Sequence, residues 1–452
     1  MTKENIKLYV VLKSNDPLWK RYLAGDAGWV LNYISERLPP AQMRLLEKTL
    51  QVTGLPSGIQ SVEISKESPS ELVVALTVDR SAVEAIKQVY DIIRSEKRSG
   101  EFIGAGADLP FAGAEHWCPG EASDPIFSDR KAAERLLRVS YLKDQGLRGQ
   151  GVNVVIVDQG LDKARLGNSY ADGWPVGDSM PGAPHKAPDH PHGGHGMMVA
   201  RNVLSVAPDA KLFDLPMLPS RIGDLPVFLN RAAVAFRTML DGIARFKSRG
   251  TRPGPWILVN AWSVYDRRTE FPAGDYTNNR AHDFNVLIDR AASAGIDMVF
   301  AAGNCGQFCP SARCGPRDRG PGDSILGANS HAAVLTVGAV RSDMMWLGYS
   351  SQGPGQPRLE QAKPDLCAPS QFRESEDAYL VNTGTSTSAA LAAGVVAALR
   401  GKWDSSRVTP RQLKDILNRK ARPAGRPGLD NRFGNGVLDA ACAYDELGSQ
   451  FP

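Results

Sequence analysis

The chain has 452 residues, enough for two domains and a large core. Its 53 Lys and Arg against 49 Asp and Glu are nearly balanced, which supplies no strong pull toward nucleic acid or a membrane surface. No segment is long and apolar enough to span a bilayer, and six cysteines do not make a disulfide scaffold for so long a chain.

Residues 1–97 read as a small α+β domain. A strand is expected over 7–13, helices over 27–37 and 42–49, and a strand pair over 60–65 and 71–78. A helix follows over 80–95, with Asp79 as its N-cap. Its apolar Val83, Ile86, Val89, Tyr90 and Ile93 fall near helical spacing. The opening Met-Thr-Lys-Glu-Asn-Ile-Lys has charges interrupting its apolar run, unlike a secretory leader. That predicts a cytoplasmic location. Residues 98–128 form a linker rich in Gly, Ala and Pro, including Gly100, Gly104, Gly106, Pro110, Gly113, Pro119, Gly120 and Pro125.

From 129 to 452 strands and helices alternate. Helical stretches over 227–246 and 283–294 each precede an apolar run, 256–260 and 298–302. Such alternation predicts an α/β fold: a mostly parallel sheet flanked by helices. The run Val154-Val155-Ile156-Val157 ends in Asp158, with Gly160 two residues on. It reads as a buried parallel strand with a carboxylate at its carboxyl end. Ligands and catalytic groups collect at that edge of open α/β sheets.

Pro191-His192-Gly193-Gly194-His195-Gly196 leads into an apolar helix. His192, followed by two glycines that permit close backbone approach, is expected to be a general base. His190, His192 and His195 also raise a metal reading. The following helix lacks the further ligands a zinc site needs, so no metal is expected. Phe300-Ala301-Ala302-Gly303-Asn304 is a second strand end. The Asn304 amide could bind the oxygen of a tetrahedral intermediate. Asn382-Thr383-Gly384-Thr385-Ser386-Thr387-Ser388 enters a helix of small residues. Ser386 in its first turn lies where unpaired amides and the positive dipole end favour negative charge.

The order Asp158, His192, Asn304, Ser386 resembles the subtilisin-like serine protease (subtilase) family. His192-Gly193-Gly194-His195 resembles the family's His-Gly-Thr-His, and Gly384-Thr385-Ser386 its serine motif. Supporting segments such as Lys363-Pro364-Asp365 and Gly434-Asn435-Gly436 extend the likeness over roughly residues 135–445. The resemblance implies a serine endopeptidase with an Asp-His-Ser triad, an Asn304 oxyanion hole, no cofactor, and a protein or peptide substrate. It places the substrate-binding strand at Asn260, Ala261, Trp262, Ser263 and Val264, where the Val264 side chain would narrow the primary pocket. It implies further that residues 1–97 act as an intramolecular inhibitor, with the linker extended through the cleft. A permanent domain that recruits substrate is the rival reading, and a catalytically silent regulator with a protease fold is the rival function.

Cys305, Cys309 and Cys314 cluster just after Asn304. Free thiols, a disulfide and a zinc site are the alternatives, with Cys309–Cys314 the easiest pair by loop length.

Overall fold

The computed structural model describes the strands over 5–13, 59–68, 71–79, 102–107 and 111–113. It also describes residues 128–452 apart from 184–193, 219–227, 269, 271 and 375–380. Strands β1 (Asn5–Lys13), β2 (Ile59–Ser68), β3 (Glu71–Asp79) and β4 (Phe102–Ala107) form a sheet in the order β2-β3-β1-β4. Its pairings are antiparallel. The helices expected over 27–37, 42–49 and 80–95 lie outside the described residues. The stretch read as linker contributes two strands, β4 and the short β5 (Phe111–Gly113).

The larger part is built on seven parallel strands. These are β6 (Asn153–Asp158), β7 (Tyr170–Gly173), β8 (Lys211–Pro216), β9 (Trp256–Asn260), β11 (Asp297–Ala301), β12 (Leu335–Val340) and β13 (Leu366–Pro369). They run in the order β13-β12-β11-β9-β6-β8-β7, all pairs parallel. The mostly parallel sheet flanked by helices is therefore the architecture observed. A short strand β10 (Trp262–Val264) leaves the end of β9 and pairs antiparallel with β5.

Both faces of the sheet are covered, which is why its strands read as unbroken apolar runs rather than alternating ones. Successive residues still point to opposite faces. Val154, Ile156, Ile257, Val259, Val299 and Val337 join one core cluster. Val155, Val157, Phe213, Leu258, Met298 and Phe300 join the other. The first cluster receives helices α4 (Gly194–Val206) and α7 (Gly384–Arg400). The second receives α5 (Phe228–Ser248) and α6 (Asp283–Ser293). Helices α1 (Arg130–Leu137) and α2 (Val139–Asp144) precede the sheet, and α3 (Lys163–Leu166) follows β6. Helices α8 (Pro410–Arg419) and α9 (Ala440–Gln450) close the chain.

Every residue of α7 is buried, as expected of a helix that is apolar or small all round. It lies close against α4. A Cβ on Gly394 would come within 2.7 Å of the Val206 Cβ and 2.9 Å of the Val203 carbonyl oxygen. Only glycine permits that approach. The far end of α7 is tied to the sheet by Arg400, whose Nε and Nη2 donate to the Asp297 carboxylate at 2.6 and 2.7 Å. Three element ends then converge at one edge: the carboxyl end of β6 and the amino ends of α4 and α7.

Candidate active site

Asp158 is the last residue of β6 and fully buried. Its Oδ1 accepts from the Gln159 amide at 2.7 Å. The imidazole beside it belongs to His195, in the first turn of α4. His195 Nδ1 lies 2.7 and 2.9 Å from the two Asp158 carboxylate oxygens. A carboxylate only accepts, so Nδ1 carries the proton and Nε2 is left as an acceptor. Nε2 is 2.9 Å from Ser386 Oγ. The serine hydroxyl also lies 3.1 Å from the Ala261 carbonyl oxygen, a second acceptor within its reach.

This corrects the expected base. His192 was assigned that place, and it lies outside the described residues, whereas His195 spans the gap between Asp158 and Ser386. The glycine that matters is accordingly Gly196. A Cβ there would stand 2.5 Å from the Gly160 carbonyl oxygen, so its absence lets α4 close onto the turn after Asp158. That turn carries Gly160 at φ 115°, in the region glycine favours. The signal for this register was present in the sequence: a histidine followed at once by glycine on the first turn of the apolar helix.

Ser386 is the third residue of α7. The first helical amides have no partner within the helix. Gly384 N donates to Tyr349 Oη at 3.1 Å, and Ser370 Oγ donates to the Gly384 carbonyl at 2.7 Å. Burial raises the Tyr349 phenol to about 12, so it stays neutral. Thr385 N donates to Asn304 Oδ1 at 3.0 Å. The Ser386 amide, next in this turn, faces the same need for an external acceptor.

Asn304 follows β11 after Gly303, at φ 106°. Its Oδ1 accepts from both the amide and the hydroxyl of Thr385, each at 3.0 Å. The Thr385 hydroxyl in turn accepts from Gly303 N at 3.0 Å. Two donors on Oδ1 settle which end of the amide is oxygen and leave Nδ2 as the donor. Nδ2 lies 3.4 Å from the hydroxyl of Tyr265, a buried side chain stacked under the Arg313 guanidinium at 4.4 Å. Thr385 and Tyr265 were not singled out from the sequence. Thr385 could have been, since it stands between Gly384 and Ser386. Tyr265 carried no signal.

Of the expected substrate strand, Asn260 ends β9 and is buried, and Ala261 supplies the carbonyl beside Ser386. Trp262, Ser263 and Val264 form β10. The Trp262 ring packs edge-on against Phe228, Phe284 and Phe300. Val264 is buried in the same cluster.

Asp214 on β8 lies behind Asp158. Its Oδ2 accepts from Leu161 N at 3.0 Å and Gly182 N at 2.8 Å. Burial raises its carboxyl to about 6, the two amides hold it back in part, and the Asp158 charge adds to the rise.

Cys305 and Cys314 form a disulfide, with Cα atoms 5.7 Å apart. The nearer pair in sequence, Cys309 and Cys314, is the easiest by loop length, but it is not the pair formed. The chain folds back instead: Ser311 N donates to the Asn304 carbonyl at 2.8 Å, and Cys314 N to the Ser311 carbonyl at 3.0 Å. These turns return Cys314 to Cys305. Cys309 is also disulfide-bonded. The zinc alternative thereby loses its thiolates. Among the described residues no group of three His, Cys, Asp or Glu gathers as a metal site, and no helix is long and apolar enough to cross a membrane.

Residues 149–436 match the model of the subtilase family. Subtilisin DY of Bacillus licheniformis is 24% identical over 316 residues, 68% of this chain and 96% of that protein. The thermostable alkaline protease of Halalkalibacterium halodurans is 23% identical over 309 residues, 66% and 69% of the two chains. Among solved structures, fervidolysin from Fervidobacterium pennivorans, a keratinolytic enzyme related to subtilisin, superposes with a TM-score of 0.55 at 16% identity. That match covers 98% of this chain and 61% of fervidolysin. A lanthipeptide protease superposes at 0.50 with 18% identity, over 70% and 94% of the chains. At these identities the structural matches speak for the shared fold.

Proposed function

The chain belongs to the subtilase family of serine endopeptidases, and from that premise we propose that Ser386 is its nucleophile, His195 its general base and Asp158 the orienting carboxylate. The observation that carries this is the single imidazole lying within hydrogen-bond distance of both the buried carboxylate and the serine hydroxyl. Substrates of such a fold are proteins or peptides.

Serine is a weak nucleophile at its free pKa and needs an adjacent base. His195 Nε2 takes the hydroxyl proton as Ser386 Oγ attacks the peptide carbonyl. Asp158 holds the tautomer and stabilises the imidazolium that forms. The oxyanion is met by Asn304 Nδ2 and the Ser386 amide, donors already oriented before charge develops. His195 then protonates the leaving amine, and water enters to cleave the acyl ester.

We propose also that the N-terminal region restrains this site. The support is the antiparallel pairing of β5 with β10, which occupies the strand beside Ser386 as an extended peptide substrate would. A silent regulator would have no reason to keep four cooperating groups in register. Substrate profiling of the full chain, and of the chain after loss of its N-terminal region, tests both statements. Hydrolysis that requires Ser386 and rises after removal supports them. Hydrolysis indifferent to Ser386→Ala contradicts the first, and no rise contradicts the second.

A further inference from the structure

Arg432 rests on two aromatic rings that take no part in the proposed mechanism. Its Cζ lies 5.2 Å from the centroid of the Phe308 ring and 5.0 Å from that of Trp346. The two rings meet edge to face, 6.0 Å apart. Backbone bonds hold both in place. Phe308 N donates to the Gly348 carbonyl at 3.3 Å and Gly306 N to the Tyr349 carbonyl at 2.7 Å. Trp346 pairs with Val340 at the end of β12. A guanidinium stacked on ring faces is attracted to them and loses its freedom to turn.

The cation so fixed has no counter-charge. The two carboxylates closest to the platform in sequence are engaged elsewhere. Asp430 Oδ1 accepts from the amides of Arg432 and Phe433 at 2.7 and 3.0 Å, and its Oδ2 from Arg426 N at 3.1 Å. Asp343 accepts from the Arg341 side chain and from Met345 N. Among the described residues no acceptor meets the Arg432 guanidinium. Phe308 is 64% exposed, and Met345, next to Trp346, is 58% exposed. Apolar side chains exposed singly need no explanation, but these adjoin one oriented, unpaired cation.

We propose that Phe308, Trp346 and Arg432 form a second, non-catalytic site that binds a polypeptide by a carboxylate side chain next to a bulky apolar one. The guanidinium offers its N–H fork to the carboxylate, and the exposed Phe308 ring and Met345 cover the apolar neighbour. A single cation with apolar flanks fits that pair. A phosphate backbone calls for several positive charges in a row. The site shares a loop with the oxyanion candidate: Phe308 follows Asn304 by four residues, and Ser311 N returns to the Asn304 carbonyl at 2.8 Å. A protein substrate gripped there is recruited through a segment other than the bond to be cut. The inference goes beyond the triad and stands whether or not Ser386 is the nucleophile.

The test is fluorescence anisotropy of short labelled peptides with the full chain carrying Ser386→Ala, so that nothing is cut. The peptides are identical except for a central Glu-Leu, Gln-Leu or Glu-Ser pair. Arg432→Gln and Phe308→Ser are made in the same background, with circular dichroism for the fold. The expected result is Glu-Leu bound about tenfold more tightly than Gln-Leu, the worth of one charge-assisted hydrogen bond. Glu-Ser should bind more weakly than Glu-Leu, and both preferences should vanish in the folded Arg432→Gln and Phe308→Ser chains, respectively. Equal affinity for Glu-Leu and Gln-Leu, no binding of either, or a preference that survives Arg432→Gln overturns the proposal. So does binding of phosphatidylserine vesicles that needs Arg432 while the peptides are not distinguished, which would make the surface a lipid contact.

Discussion

Thr385 donates to Asn304 Oδ1 twice, from its amide and from its hydroxyl, each at 3.0 Å. The residue before Ser386 thus fixes the Asn304 side chain. Under the roles proposed for them, Ser386 and Asn304 are held as one unit, so damage to either partner should register in kcat before KM.

Asn304→Ala should lower kcat by about 10²–10³ with the fold retained, the usual loss for one oxyanion donor. Thr385→Val keeps the amide bond and loses the hydroxyl, and should cost about tenfold, near the worth of one hydrogen bond. Steady-state kinetics on a peptide substrate, with circular dichroism for the fold, read both. Full activity in Asn304→Ala would remove it from the oxyanion site.

Gly196→Ala places a methyl 2.5 Å from the Gly160 carbonyl oxygen, a backbone atom that cannot swing aside. The helix must move away from β6, carrying His195 off Asp158. We expect a loss of about 1–3 kcal/mol in stability and a larger fractional loss of kcat. Denaturant titration and kinetics together separate this from a purely structural defect, which would leave kcat of the folded fraction unchanged.

Asp214 titrates at about 6 in the fold, above its ordinary 3.8. The folded chain binds this proton more firmly than the unfolded one, so the group's stabilising contribution is complete below pH 3.8 and is lost as pH rises through about 6. Asp214→Asn keeps an acceptor for Leu161 and Gly182 and cannot ionise. In a Ser386→Ala background it should be more stable than its parent at pH 8, by up to about 3 kcal/mol, and match it at pH 4. Equal melting at both values would show that Asp214 carries no such strain.

The Cys305–Cys314 bridge closes the loop that follows Asn304. Peptide mapping without reduction should recover these two cysteines linked. Iodoacetamide should label the exposed Cys442 well before Cys367, which is buried and whose thiol pKa burial pushes up. Recovery of Cys305 and Cys314 as free thiols from an oxidising host would count against the bridge.

Much of this arrangement was legible before the structure. Asp158, Asn304 and Ser386 each stand at a strand or helix end, where apolar runs stop and polar groups begin. Periodicity marks such places well. The histidine was misjudged by three residues because two His-Gly pairs flank Gly194, and local sequence does not say which meets β6. Packing decides it: Gly196 is the position where α4 has no room for a Cβ. The cysteine pairing escaped for a related reason. Loop length favours the nearer thiols, but the turns through Ser311 set the distance. Tyr265 reaches Asn304 across the fold, a proximity no local pattern encodes.

The central claim is that His195, held by Asp158, activates Ser386. It is tested most directly by fluorophosphonate labelling with peptide mapping, in parallel for wild type, Ser386→Ala, His195→Ala and His192→Ala. The label should map to Ser386 in wild type and in His192→Ala, vanish in Ser386→Ala, and fall in rate on the order of 10⁴-fold in His195→Ala. A label on another residue, or its loss in His192→Ala with retention in His195→Ala, would contradict the account.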